Sequence, residues 1–335
     1  MEIVKYYSWV LLCIIVSCIT VEDDEYASKD IVLAFGEELQ TYYAYPARIF
    51  ETGIDSLLAA QPYASISEQE LAYKLGSYLS LLHDGHVHLY TSWGIMGNEN
   101  YFSDFTPHTI DNSMVYLETY EILNPCLRWG KIRKTPIAYL YIRSFEGNSA
   151  DFEILDSILI SQIFNYSALI IDVRGNRGGL VENSFLVASF FSTSDRCMGY
   201  FRRCLDGKQG VYTSWISMNI RPATLRMHLP LIIILTDRFT YSAAEWFVMA
   251  MANQSHVTIM GDTTGGGISA PLIRELPNGW LLSVSNTQYL SVDGIDYQFL
   301  GFPPDVPVVL DPSDTLSNRD YPLEYAIDWL LPRMR

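Results

Sequence analysis

Ala168-Leu-Ile-Ile-Asp-Val-Arg-Gly-Asn-Arg-Gly-Gly179 is the stretch on which the fold turns. Ala168–Val173 is apolar apart from one acid, too short for a helix and closed by glycines, so it reads as a buried strand. Arg174–Gly179 is a tight exit, and Leu180–Phe191 reads as the helix it enters. The pattern recurs at Leu231-Ile-Ile-Ile-Leu235, followed by Thr236–Tyr241 and a helix from Ser242 to Asn253. Val257–Met260 is a third such strand. Upstream, Ile137–Ile142 reads as a strand and Asp151–Phe164 as an amphipathic helix. Buried strands alternating with helices require crossover connections. The expected class is therefore α/β with a mainly parallel sheet.

Farther out, Pro277-Asn278-Gly279 separates two β-rich runs as a hairpin turn. Tyr321–Leu331 reads as a closing helix, and residues 192–230 as an insertion. Residues 28–90 read as helical: Ser67-x-x-Glu70 is a capping box, and Leu71, Leu75, Tyr78, Leu79 and Leu82 follow at helical spacing up to Asp84-Gly85. Residues 91–134 read as loops and short strands. The expected division is a helical region with linker at 28–134 and a core at 135–335.

At the N-terminus, the apolar run Tyr6–Val21 follows Lys5 and falls short of the roughly 20 residues that span a bilayer. It has the form of a signal peptide, residues 1–17. Ile15-Val16-Ser17-Cys18 resembles the lipobox of bacterial lipoproteins, which implies acylation of Cys18 as a stable lipid anchor to a membrane. Residues 18–27 would be an acidic linker. Its Glu22-Asp23-Asp24-Glu25 run resembles export signals of surface-exposed outer-membrane lipoproteins, and reads equally as a solvated linker.

Over 335 residues the chain carries 22 Lys and Arg against 38 Asp and Glu, a net charge of −16. With 49% hydrophobic and 18% charged residues, disorder is excluded. The acidity argues against nucleic acid as a partner, since phosphates need a basic patch. Cys197 and Cys204 could meet across a hairpin as a disulfide, or stand unpaired. No Cys-x-x-Cys pair offers a structural zinc site, and nothing in the motifs requires a cofactor.

Three segments carry chemistry. Ser242 opens a helix directly after a buried strand, where free N–H groups favour developing negative charge. Small Ala243 and Ala244 let a substrate approach the backbone. A plain helix N-cap explains the same serine. Gly178-Gly179 permits close backbone approach, which suits an oxyanion donor, a phosphate cradle or simply a tight turn. P-loop and dinucleotide spacings are absent. His83-Asp84-Gly85-His86-Val87-His88 offers a general base. Its three histidines also suggest a metal cluster, although no acidic or cysteine partner stands nearby at zinc spacing.

Five stretches, in order across residues 82–305, resemble the carboxyl-terminal processing (tail-specific) peptidases and the tricorn-core serine peptidases. They are Leu82-His-Asp-Gly-His86, Ala168–Gly179, Thr240-Tyr-Ser-Ala-Ala-Glu245, Gly261-Asp-Thr-Thr-Gly-Gly266 and Gly301-Phe-Pro-Pro-Asp305. The resemblance implies a crotonase/ClpP-like core with Ser242 as nucleophile. It implies an oxyanion hole from the N–H groups of Ala243 and of Gly178 or Gly179. The processing branch uses a lysine base, but the matching position is Gly267 and no Lys follows Ser242. The tricorn-like branch uses a histidine that maps to His86, oriented by a glutamate whose nearest match is Gln298; Asp293 or Asp296 could substitute. A glutamine can accept from an imidazole N–H but cannot stabilise imidazolium as a carboxylate does. Residues 91–134 are too few for a PDZ domain, so substrate selection would fall to the N-terminal region and the 192–230 insertion. The expected activity is hydrolysis of peptides or proteins outside the cytoplasm by a serine-type peptidase. The rivals are a catalytically silent relative binding peptide or polymer in the same cleft, and a metallohydrolase using His83, His86 and His88.

Overall fold

The computed structural model describes residues 28–60, 63, 66–105, 113–205, 210–223, 231–252, 254–308 and 319–334. The expected signal peptide, Cys18 and the acidic linker lie outside the described residues. In chain order come helices α1 (Ser28–Tyr42), α2 (Pro46–Thr52), α3 (Ile54–Ala59) and α4 (Glu68–Ser80). Strands β1 (His88–Thr91), β2 (Gly94–Gly97), β3 (Leu117–Ile122), β4 (Leu127–Ile132) and β5 (Ile137–Ile142) follow. Next are α5 (Ala150–Ser161), β6 (Ala168–Asp172), α6 (Val181–Phe190), β7 (Arg196–Arg203), β8 (Ile216–Ile220) and β9 (Leu231–Thr236). The chain continues with α7 (Ala243–Met251), β10 (Val257–Gly261), β11 (Pro271–Glu275), β12 (Leu281–Ser285), β13 (Thr287–Ser291), β14 (Val306–Pro307) and α8 (Tyr321–Leu330).

Among the described residues the central sheet runs β14-β10-β9-β6-β5-β4-β3. Pairing is parallel from β5 through β14 and antiparallel at β4 and β3. Side chains alternate across a sheet, and here both faces are covered. Leu169, Ile171, Ile232 and Ile234 pack with Phe152, Leu155, Val187 and Phe247 on one face. Ile170, Ile233 and Leu235 pack with Leu323, Ala326 and Leu330 on the other. That is why β6 and β9 read as unbroken apolar runs. Fully burying each such side chain contributes roughly 1.5–3 kcal/mol. The α/β expectation with a mainly parallel sheet holds.

A second core joins α1 and α4 to the sheet β11-β12-β1-β2, through Phe35, Leu71, Leu75, Leu79, Leu89, Leu282 and Val284. Its α4 starts with the expected capping box: the Ser67 hydroxyl accepts from the Glu70 N–H (3.3 Å), and the Ser67 N–H donates to the Glu70 carboxylate (3.0 Å). The Pro277-Asn278-Gly279 turn joins β11 to β12, with Gly279 at φ 81°.

Two expectations are corrected, and one open alternative, the pairing of Cys197 with Cys204, is decided. Helix α4 ends at Ser80, and the chain turns through His83–His86 into β1 instead of continuing as a helix to Asp84-Gly85. The core does not begin at residue 135. β3 and β4 belong to the central sheet, and β1 pairs with β12, so the 28–134 segment is woven into both sheets. Short strands with Gly, Trp and Lys between apolar positions give little periodic signal. Cys197 lies in β7 and Cys204 directly after it, along one extended segment. At ~3.3 Å per residue they are roughly 20 Å apart, beyond the ~7 Å that a disulfide can bridge, and both thiols are free.

Candidate active site

Ser242 stands where β9 hands over to α7, with φ 55° and ψ −123°. Positive φ is uncommon for a residue with a Cβ and costs of order 1–3 kcal/mol, so the surroundings must enforce it. Glu245, one turn into the helix and fully buried, does this. Its Oε2 accepts the N–H groups of Ser242 (3.2 Å) and Gly267 (2.7 Å). Its Oε1 accepts the Thr264 hydroxyl (2.6 Å) and the Gly266 N–H (2.8 Å). Burial pushes its pKa up to about 7 against these four bonds, each of which favours the anion. The Glu245 N–H itself goes to the Ser242 carbonyl oxygen (2.9 Å). Ser242 and Glu245 form a capping box, an arrangement in which the serine oxygen can only accept, so the hydroxyl proton stays free to be given to a base.

The Gly178-Gly179 turn lies against this serine. A Cβ on Gly178 would come within 2.8 Å of Ser242 Cβ and 2.9 Å of the Ala243 nitrogen. Gly178 is nevertheless not a free donor, because its N–H is given to Asn176 Oδ1 (2.9 Å). Its role is close approach. That leaves Ala243 and Gly179 as the candidate donor pair. Ala243, first in its helix, has no intrahelical acceptor. Gly179 sits at φ 136°, with Phe145 backbone where a Cβ would go.

The two loops are lashed together. The Asp237 carboxylate accepts the Gly175 N–H (3.1 Å), the Thr240 hydroxyl donates to the Val173 carbonyl (3.0 Å), and the Tyr241 N–H donates to the Asn176 carbonyl (3.0 Å). Beneath them the buried Arg174 guanidinium bridges Asp172 and Asp320, tying the end of β6 to the start of α8. These two carboxylates raise the Arg174 pKa against the burial that lowers it. The Gly301–Asp305 stretch also serves the frame: the Phe302 N–H donates to Thr264 Oγ1 (2.6 Å) and Asp305 accepts from the Ile259 N–H (2.8 Å).

On the facing side, the His86 ring packs on the Tyr241 ring, centroids 4.9 Å apart. This brings the candidate base beside the residue that precedes Ser242, though no hydrogen bond joins His86 to the serine among the described residues. Catalytic hydrogen bonds are commonly long before substrate binds. Burial, helped by nearby His88, lowers the His86 pKa to about 3, so the imidazole is a neutral acceptor well into acid. Its Nδ1 is buried without a hydrogen-bond partner among the described residues.

Neither candidate orienter reaches that ring. Gln298 donates through Nε2 to Asp84 (3.3 Å) and accepts the Ser269 N–H (2.9 Å). Asp296 accepts the Tyr45 hydroxyl (3.2 Å) and the Gln298 N–H (2.9 Å), and burial pushes its pKa up to about 6. No hydrogen bond from Asp293 to His86 is present among the described residues either. The buried Asp84 instead holds the loop from below, accepting the His86 N–H (3.1 Å), Tyr43 hydroxyl (3.1 Å) and Ser285 hydroxyl (3.0 Å). The three histidines do not converge on one point. His88 Nε2 meets the Gly85 carbonyl (2.9 Å), and His83 faces a separate cavity. Among the described residues no group of three His, Cys, Asp or Glu side chains is placed to hold an ion. The cavity, about 520 Å³, is walled by Arg48, His83, Asn98, Glu99, Tyr101 and Phe299.

Sequence reasoning missed Glu245, Asp84 and Tyr241 as parts of the site. The Ser-x-x-Glu spacing from Ser242 was the available signal for Glu245. Asp84 and Tyr241 carry no such signal, because their partners are far away in sequence.

The model of Peptidase family S41 matches residues 136–308. Among curated proteins, a probable CtpA-like serine protease of Staphylococcus haemolyticus is 24% identical over 55% of this chain and 36% of its own length. A carboxyl-terminal-processing protease of a Picosynechococcus species is 26% identical over 58% and 45%. The chain thus spans less than half the length of these relatives. A putative peptidase from Parabacteroides merdae, solved by crystallography, superposes with a TM-score of 0.81 at 28% identity, over 91% of this chain and 97% of that one.

Proposed function

The chain belongs to peptidase family S41, matched over more than half its length, and from that premise we propose that it hydrolyses peptide bonds with Ser242 as nucleophile and His86 as general base. The observation that carries this reading is the strained Ser242, held at a helix start against Gly178-Gly179 with its hydroxyl proton free to be donated. A serine hydroxyl needs a proton acceptor to attack a carbonyl. His86, buried and neutral, takes that proton and returns it to the leaving amine. The N–H groups of Ala243 and Gly179 receive the oxyanion. Substrates are peptide or protein chains, selected by the N-terminal region that walls the Arg48–His83 cavity and by the 192–230 insertion. The enzyme acts outside the cytoplasm, held to a bacterial membrane through acylated Cys18, and Cys18→Ser releases it from the membrane fraction.

The test is labelling by a fluorophosphonate probe together with hydrolysis of a peptide library. Wild type labels and cleaves, Ser242→Ala does neither while keeping its circular dichroism, and His86→Ala loses roughly 10²-fold or more in turnover. Hydrolysis retained by purified Ser242→Ala overturns the assignment. One feature favours a second reading, a silent peptide-binding relative: among the described residues His86 has no orienting carboxylate, and Gly267 stands where the processing branch has lysine. That reading requires peptide binding without labelling in wild type.

A further inference from the structure

Gly267, the position without its lysine, is filled from elsewhere in the chain. A Cβ built on Gly267 would fall 1.8 Å from Tyr241 Cζ and 2.1 Å from its hydroxyl oxygen. A Cβ on Gly265 would lie 2.6 Å from Tyr241 Cδ2, and one on Gly85 would lie 2.6 Å from the Tyr241 hydroxyl. The Tyr241 ring therefore occupies a slot made of three bare backbone positions on two separate loops. Any side chain at Gly267, a lysine included, needs this same space. The open end of the slot is closed by aromatic rings: His86 at 4.9 Å, Phe102 at 5.1 Å and Tyr101 at 5.5 Å between centroids. Tyr101 is itself pinned by its hydroxyl to the Gly265 carbonyl (2.8 Å).

Among the described residues, two buried polar atoms in this corner are without partners, the Tyr241 hydroxyl and His86 Nδ1. They belong to two rings in contact, and they are complementary. A neutral imidazole protonated at Nδ1 offers a donor there, and a phenol oxygen accepts it. Buried polar groups are rarely left unpaired. Asp84, Gln298 and Asp296, the other polar groups nearest by sequence or motif, are committed elsewhere.

We infer that Tyr241 is the positioning residue for His86: its ring takes the volume the lysine would have occupied, and its hydroxyl takes the Nδ1–H that an orienting carboxylate would otherwise accept. This rests on the reading of His86 as the base and completes it. With Nδ1 protonated and held, the Nε2 lone pair is the one presented for the Ser242 proton. A phenol accepts without contributing a charge, so it fixes the tautomer yet stabilises imidazolium less than a carboxylate does. A slow, tautomer-controlled peptidase is the consequence.

The experiment uses the full chain labelled with ¹⁵N-histidine, with the His86 signals assigned by their loss in His86→Ala. In wild type the ring nitrogens show one tautomer, protonated at Nδ1. Tyr241→Phe keeps the ring and removes the hydroxyl. It gives a mixed tautomer pattern, a roughly 10-fold slower fluorophosphonate reaction, and a lower kcat at unchanged KM. Gly267→Ala, which pushes the ring out of its slot, reproduces the mixed pattern by another route. An unchanged His86 tautomer in folded Tyr241→Phe overturns the inference, whatever the labelling rate. If wild type does not label at all, the Ser242–His86 reading fails by that measurement, while the nitrogen spectra still decide whether Tyr241 positions the ring.

Discussion

Glu245 and His86 belong to the same candidate site and are held on opposite terms. The Glu245 carboxylate accepts four hydrogen bonds and locks Ser242, Thr264, Gly266 and Gly267 into one frame. His86 is fixed by packing on Tyr241 and by its backbone N–H to Asp84, and among the described residues its Nδ1 has no hydrogen-bond partner. The difference follows from what each side must do. The candidate nucleophile Ser242, at φ 55°, is strained and needs a rigid frame to hold it. The candidate base has to gain and lose a proton, and its ring is held by packing against Tyr241 rather than by a web of hydrogen bonds to a charge.

Removing Glu245 tests the rigid side and has the largest expected effect. Glu245→Ala leaves four buried donors without an acceptor. Each unsatisfied donor costs roughly 1–3 kcal/mol, so the variant loses roughly 4 kcal/mol or more in urea unfolding and no longer reacts with the probe. A loss under about 1 kcal/mol would mean that the frame does not depend on this carboxylate.

The soft side is tested by pH. The folded-state pKa of His86, about 3, lies below the ~6.5 of an unfolded histidine. Its contribution to stability is therefore present above pH ~6.5 and is lost as pH falls toward 3. Between pH 7 and pH 4 wild type should lose roughly 3 kcal/mol more than His86→Asn, because each tenfold rise in proton concentration between those two pKa values favours the unfolded chain by ~1.4 kcal/mol. A histidine base titrating at its ordinary value would make activity fall between pH 6 and 7. Burial moves that limb into acid, so His86 itself causes no fall in that window. Parallel stability curves for wild type and His86→Asn would refute this placement of the ring.

Gly267→Ala sits on the boundary between the two sides. Its methyl group overlaps Tyr241, and overpacking of this kind costs roughly 1–3 kcal/mol. In a Tyr241→Ala background the cost should vanish, so a double-mutant cycle with no coupling would place the ring elsewhere. The smallest effect lies outside both corners. With Cys197 and Cys204 on one extended segment, dithiothreitol should leave Tm unchanged, and a drop of several degrees would require a bond the structure lacks.

The parallel core was legible because β6 and β9 are buried on both faces and are therefore written as unbroken apolar runs. Strands β3 and β4 were not, since one is an exposed edge and the other mixes Gly, Trp and Lys. Ser242 was legible from its place between strand and helix. The donor choice between Gly178 and Gly179 was not, because it depends on which N–H the Asn176 side chain takes. Gln298 matched the orienter's place by motif order, yet its amide is turned to Asp84.

By itself, then, the sequence determined the layers, the candidate nucleophile and the turn that meets it, because local hydrophobic period and backbone freedom are properties of consecutive residues. Only the tertiary structure decided who stands beside the candidate base. Tyr241, His86 and Gly267 come from three different segments, and whether a phenol or a lysine fills their shared space is a question of volume. Sequence spacing carries no information about which distant side chain occupies a given cavity, and close packing allows only one.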